Sequence, residues 1–269
     1  MVVVNSTYSA QTVFMRASAW AGLAVLTVAI ALAVAGNFKP PRKLPEGVHS
    51  PTLALELIRD GSTVSSILRP DEHTKMARAV SIDYLFIATY TIFFTLLGAV
   101  LFANGGWWRL LGAMAILAVI GAAVYDVREN RAMLDLLAGD TARLPRPFSL
   151  AKWRLIFIAL GATAPVFWNA KATPLRRWVG FAACALALFV AVEGVFAVQR
   201  EDAKLIEVSA RRMAIALVLV EFFLSTERTL RDGVLAALDR LARKPVLNVI
   251  ANWPSADVNE TVGDVISRV

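Results

Sequence analysis

The sequence predicts an all-α fold: a polytopic membrane helical bundle of about five transmembrane helices, with six as the alternative, plus cytoplasmic amphipathic helices. Three observations predict it. Of 269 residues 57% are hydrophobic, the mean hydropathy is +0.59, and only 18% are charged, where soluble domains carry about a quarter. The apolar residues also fall in whole charge-poor windows, each long enough as helix to approach the ~30 Å of a hydrocarbon core.

The first window covers residues 17–36, after Arg16. Its apolar run exceeds the h-region of a cleaved signal peptide, so an uncleaved anchor is expected. The second (82–103) and third (107–125) are separated by Asn104-Gly105-Gly106, residues that tolerate the positive φ of a tight turn. They form an antiparallel hairpin with Trp107 and Trp108 at its tip, where indole rings favour the head-group layer. The fourth (153–168) follows Ser149 as an N-cap, and the fifth (178–198) follows Thr173 and Pro174 as N-cap and first-turn residues.

Orientation follows from Lys and Arg, which are retained on the cytoplasmic side. Residues 38–81 hold seven, 126–154 hold six and the chain after 199 holds ten, against one before the first window, one at the hairpin tip and three between the fourth and fifth. Five spans with the N-terminus outside satisfy every region. The division is then 1–36, N-terminal tail and first span; 37–81, a cytoplasmic helical segment; 82–199, four further spans; and 200–269, a cytoplasmic or interfacial helical tail.

Within 37–81, Ser50 and Pro51 start a short helix through about Arg59 with Gly61 ending it, and Pro70, Asp71 and Glu72 start a helix that runs into the second span. In the tail, residues 213–224 are apolar but short and contain Glu221; a helix packed on the bundle or on a partner is expected, a sixth span being the alternative. Beyond it, Leu230, Val234, Leu238 and Leu241 recur at helical spacing beside Arg228, Arg231, Arg240, Arg243 and Lys244, a pattern suited to an anionic leaflet or a partner protein.

The net charge of +7 and pI near 9.9 are explained by this orientation rather than by nucleic acid. The single cysteine, Cys184, excludes an intrachain disulfide and a Cys-based metal site. No Walker loop, G-x-S-x-G, H-E-x-x-H or C-x-x-C is present, and two histidines, His49 and His73, leave little for haem or zinc. No catalytic set, resident metal or cofactor is named by the sequence.

The informative polar residues lie at the cytoplasmic level of the spans. Asp126, Glu129 and Asn130 share one helical face by their spacing of three and four. Asp83 begins the second span, antiparallel to the third, and Glu193 lies about five residues from the inner end of the fifth. These five are expected to converge on one layer, with Lys152, Arg154, Arg128 and Arg131 available as counter-charges. Charges near hydrocarbon cost about 2.5–3.5 kcal/mol even on lenient scales, so such groups face the bundle and find partners. The hydroxyls of Tyr84 and Tyr90 are candidate partners, in which case the layer locks the spans together.

The leading functional expectation is a non-enzymatic membrane subunit or scaffold. Its cytoplasmic basic helices would dock another membrane protein, a second copy or anionic lipid. The alternative is a small transporter or an ion- or proton-handling protein using the acidic layer. An enzyme acting on lipid has only Asp83 and Tyr84 to draw on. The Ala-, Leu-, Val- and Arg-rich composition suits a bacterial inner (plasma) membrane.

Overall fold

The computed structural model describes residues 6–36, 38, 44, 48–168 and 174–225, and among them every regular element is a helix. The elements are α1 (Ser6–Ala35), α2 (Pro51–Glu56), α3 (Val64–Ile67), α4 (His73–Ala103), α5 (Gly106–Leu137), α6 (Arg146–Thr163), α7 (Pro174–Gln199) and α8 (Ala203–Ser225). Short 3₁₀ turns at Gly61–Thr63, Pro70–Glu72 and Ala164–Phe167 link or extend them.

Five helical stretches are long and apolar enough to cross a membrane: Val13–Ala35, Pro70–Ala103, Gly106–Leu137, Arg146–Phe167 and Arg177–Gln199. Their outward faces remain apolar, as at Leu117 (71% exposed) and Val192 (72%), which in water would be a penalty and in lipid is the favoured arrangement. α4 and α5 hold 31 and 32 residues, roughly 47 Å at 1.5 Å per residue. Both therefore project beyond the hydrocarbon at the end that carries most of the Lys and Arg, here called the basic end.

The α4–α5 hairpin turns at Gly105 and Gly106, whose φ values of 75° and 51° suit residues without a Cβ. Below the turn the two backbones touch. A Cβ on Gly112 would lie 2.5 Å from Gly98 O and 2.7 Å from Phe102 N, so only glycine permits this approach.

The helices close into a ring. α1 packs on α4, α4 on α5, α5 on α6, α6 on α7, α7 on α8, and α8 returns to α1. The window 213–224 is thus the distal half of a 23-residue helix that lies along α7 and fills the wall between α7 and α1. Its far end reaches residues opposite the basic end, with the Phe223 ring 5.9 Å from that of Phe167 and in contact range of Gly180. Residues 203–225 belong to the bundle, as expected for a helix packed on it. Arg228, Arg231, Arg240, Arg243 and Lys244 lie outside the described residues.

At the basic end residues 48–68 fold back over the helix termini. Ser50 caps α2 by accepting from Leu53 N at 3.3 Å, with Pro51 in the first turn. The helix stops at Glu56, not near Arg59 as the sequence suggested, because Asp60 begins a new turn. Its carboxylate accepts from Ser62 N at 3.0 Å and Ser62 Oγ at 2.6 Å, and these bonds hold the exposed Asp60 carboxyl below its ordinary range. Phe38, Val48, Leu55, Ile58, Ile67 and Leu68 bury against Met76, Val80, Met133 and Leu136 of the projecting α4 and α5. This second apolar layer fixes α2 over the bundle's end.

Candidate functional site

The polar layer is organised around a lysine. α6 opens with Arg146 and Pro147, suited to a first turn, and places Ser149 and Lys152, three residues apart, on the face turned to α5. The Lys152 ammonium, on a residue only 5% exposed, lies 2.8 Å from Glu129 Oε1, 3.2 Å from Asp126 Oδ1 and 3.4 Å from Glu56 Oε2. Glu129 and Asp126 are 1% and 2% exposed.

Each remaining group extends this centre. Asp126 Oδ2 accepts from the Tyr90 hydroxyl at 3.0 Å, and Asp83 Oδ2 accepts from Asn130 Nδ2 at 2.7 Å. Glu56 Oε2 also accepts from Trp153 Nε1 at 3.2 Å and Ser149 Oγ at 3.3 Å. The Trp153 ring centroid stands 5.2 Å from the ammonium and stacks on Phe157, excluding water from that flank. Four elements, α2, α4, α5 and α6, meet here.

Acceptor capacity exceeds donor supply. Four carboxyl groups present about sixteen lone-pair sites, whereas Lys152, Tyr90, Asn130, Trp153 and Ser149 together supply about eight protons. Glu129 Oε2 has no hydrogen-bond partner, and Asp126 Oδ1, although within ion-pair distance of Lys152, makes no aligned hydrogen bond. Among the described residues no group of three or more His, Cys, Asp or Glu is arranged to hold a metal ion; the ammonium itself occupies the point on which three carboxylates converge.

Asp83, Asp126, Glu129 and Asn130 are thus together. Two residues expected with them are not. Glu193 faces α8 instead, where it pairs with Arg212 and accepts from Ser209 Oγ at 3.1 Å; in the ring α7 neighbours α6 and α8, and this side chain points to the latter. Arg154 is exposed because two residues from Lys152 is about 200° around a helix, so the two cannot share a face. Of the four counter-charges expected from the sequence Lys152 is the centre, and Glu56 was missed altogether. A lone acid in the apolar run Leu53-Ala54-Leu55-Glu56-Leu57-Ile58 was the available signal.

Other polar groups fasten the folded-back segment 48–68 to the bundle. Glu207 on α8 accepts from His49 N at 2.7 Å and pairs with Arg211. Arg146 donates to Leu57 O at 3.1 Å and pairs with Glu201 in the α7–α8 turn. Thr89 and Thr91 bond to carbonyls within α4 and take no part in the site. No protein-family model, curated protein sequence or solved structure matches the chain.

Proposed function

We propose that the chain is a proton-handling protein of a bacterial plasma membrane, with the Lys152 layer as its proton-binding site and the basic end facing the cytoplasm. The observation that carries this reading is the charge imbalance: Glu56, Asp126 and Glu129 share a single ammonium, and Asp83 adds a fourth carboxyl group through Asn130. One ammonium balances one carboxylate, and an uncompensated ion at this depth is costly. Neutralisation by protons fits better than by a metal, since an ammonium already fills the centre and would repel a second cation.

The site is closed towards the basic end by α2, through Glu56, the one carboxylate it draws from outside the five membrane-crossing stretches. Displacing α2 would remove one carboxylate from Lys152 and admit water. Proton entry and the position of α2 are therefore coupled, which gives the folded-back segment a role beyond packing.

The test is proton uptake by liposomes holding the purified full-length chain and an internal pH dye, with the membrane potential clamped. Uptake above protein-free liposomes, lost in Glu129→Gln and Lys152→Met, is the expected result. Uptake equal to that of protein-free liposomes overturns the reading. The docking role remains a second proposal, carried by Arg228, Arg231, Arg240, Arg243 and Lys244 alone; co-purification with a membrane protein at fixed stoichiometry is its test.

A further inference from the structure

Away from the Lys152 layer the ring wall holds another carboxyl group. Glu221 of α8 is 7% exposed, and neither of its side-chain oxygens has a hydrogen-bond partner. It sits where α8 meets α1, against Gly22, and the space it fills exists because residue 22 is glycine. A Cβ there would run into Glu221 Oε2 and would stand 3.0 Å from the Phe93 ring of α4. An acid in a charge-free half of a helix, with a cradle cut for it in the neighbouring helix, is not a packing residue: leucine or glutamine would fill the wall at less electrostatic cost.

Its place relative to the layer is informative. On α4, Phe93 lies three residues beyond Tyr90, roughly 4.5 Å of rise and on the same helical face, and ten beyond Asp83, roughly 15 Å. Tyr90 is the member of the layer furthest from the basic end on α4, and its hydroxyl donates to Asp126. Glu221 therefore lies beyond Tyr90 towards the opposite end, beside Gly22 and at the level of the Phe93 ring. Around Glu221, α1 contributes Gly22 and α4 contributes Phe93. In sequence, the titratable or charged residues flanking these contact positions on the basic-end side are Arg16 on α1, six before Gly22, and Tyr90 on α4, three before Phe93; neither oxygen of Glu221 has a hydrogen-bond partner.

We infer that the Glu221 carboxyl, seated against Gly22, is a second proton-binding site, the far-side station of a route that starts at the Lys152 layer and is interrupted by the Phe93 ring. The inference rests on the proton-handling reading of that layer. The carboxylate takes a proton from the far side and becomes a neutral acid; when Phe93 rotates and water bridges the gap, the same proton leaves towards Tyr90 and Asp126, restoring the carboxylate. Phe93 thus separates two stations that are never joined by a standing hydrogen-bonded chain.

The experiment uses the full chain in the same dye-loaded liposomes. Glu221→Gln keeps the shape and removes the exchangeable proton; it should slow uptake by about a hundredfold or more, the scale of a lost acid–base group, with the melting temperature unchanged or raised. Gly22→Ala, which pushes the carboxyl off its seat, should slow uptake as well, and Glu221→Asp should keep part of it. Wild-type uptake in Glu221→Gln, in a preparation series where Glu129→Gln has stopped uptake, overturns the far-side station and leaves the layer standing. Should Glu221→Gln fail to fold, wild-type uptake in Gly22→Ala overturns it. Absence of uptake in the unmodified chain overturns both.

Discussion

The Lys152 ammonium stands 2.8 Å from Glu129 Oε1 while the second oxygen of the same carboxyl group is buried without a hydrogen-bond partner. The pair is therefore the tightest ion contact of the layer and also one of the places where an oxygen is left unsatisfied. Removing the cation and removing an anion must have unequal consequences.

Lys152→Met leaves the three acids around it without a cation. The expected loss is about 3–5 kcal/mol, the range for breaking a buried pair from one side, read as a lowered melting temperature of the detergent-solubilised protein. Glu129→Gln relieves the imbalance and should cost much less. The double variant Lys152→Met/Glu129→Gln should be more stable than Lys152→Met alone, and an additive loss would show that the two do not interact.

Glu193 and Arg212 provide a contrast. Their side chains are 16% and 41% exposed, so solvent and lipid head groups can replace the lost partner. Arg212→Ala should cost on the order of 1 kcal/mol or less. A melting-temperature drop as large as that of Lys152→Met would mean that α8 is held mainly by this tie.

Gly112→Ala should separate α4 from α5, because the new methyl group meets backbone atoms of Gly98 and Phe102 that cannot rotate away. The expected destabilisation is about 1–3 kcal/mol, as for overpacking a close-fitted core. Gly121→Ala meets only the Leu155 side chain end at 3.0 Å and should be milder. The order of the two melting temperatures checks the contact.

Cys184 is the only cysteine in the chain, which makes the topology directly testable. In a Cys184→Ser background, Ser62→Cys should react with an impermeant maleimide only from the cytoplasmic face. Asn104→Cys, at the hairpin turn, should react only from the opposite face. Labelling of both from one side would remove the antiparallel arrangement on which the layer depends.

Much of this arrangement was legible because lipid imposes simple rules. An apolar run near twenty residues must be helical to satisfy its backbone, so residues 82–103 and 107–125 announced themselves, and Asn104-Gly105-Gly106 fixed them as a hairpin. That hairpin alone brings Asp83 level with Asp126, and helical spacing aligns Glu129 and Asn130. Glu193 and Arg154 were misplaced for a related reason: depth in the membrane can be read from sequence, but the direction in which a side chain points around its helix depends on which helix stands next to it. The ring order that seats α8 beside α7 gives Glu193 to Arg212 and Ser209.

The sequence by itself determined the helical class, the membrane-crossing windows, the basic bias of one end and the common depth of four polar residues, since each depends only on local composition and helix geometry. Tertiary structure alone decided that Lys152 is the centre, that Glu56 joins from a segment about seventy residues before Asp126, and that Glu221 is cradled by Gly22. Those are contacts between segments far apart in the chain, and they are chosen by how six helices close into a ring, which no local pattern encodes.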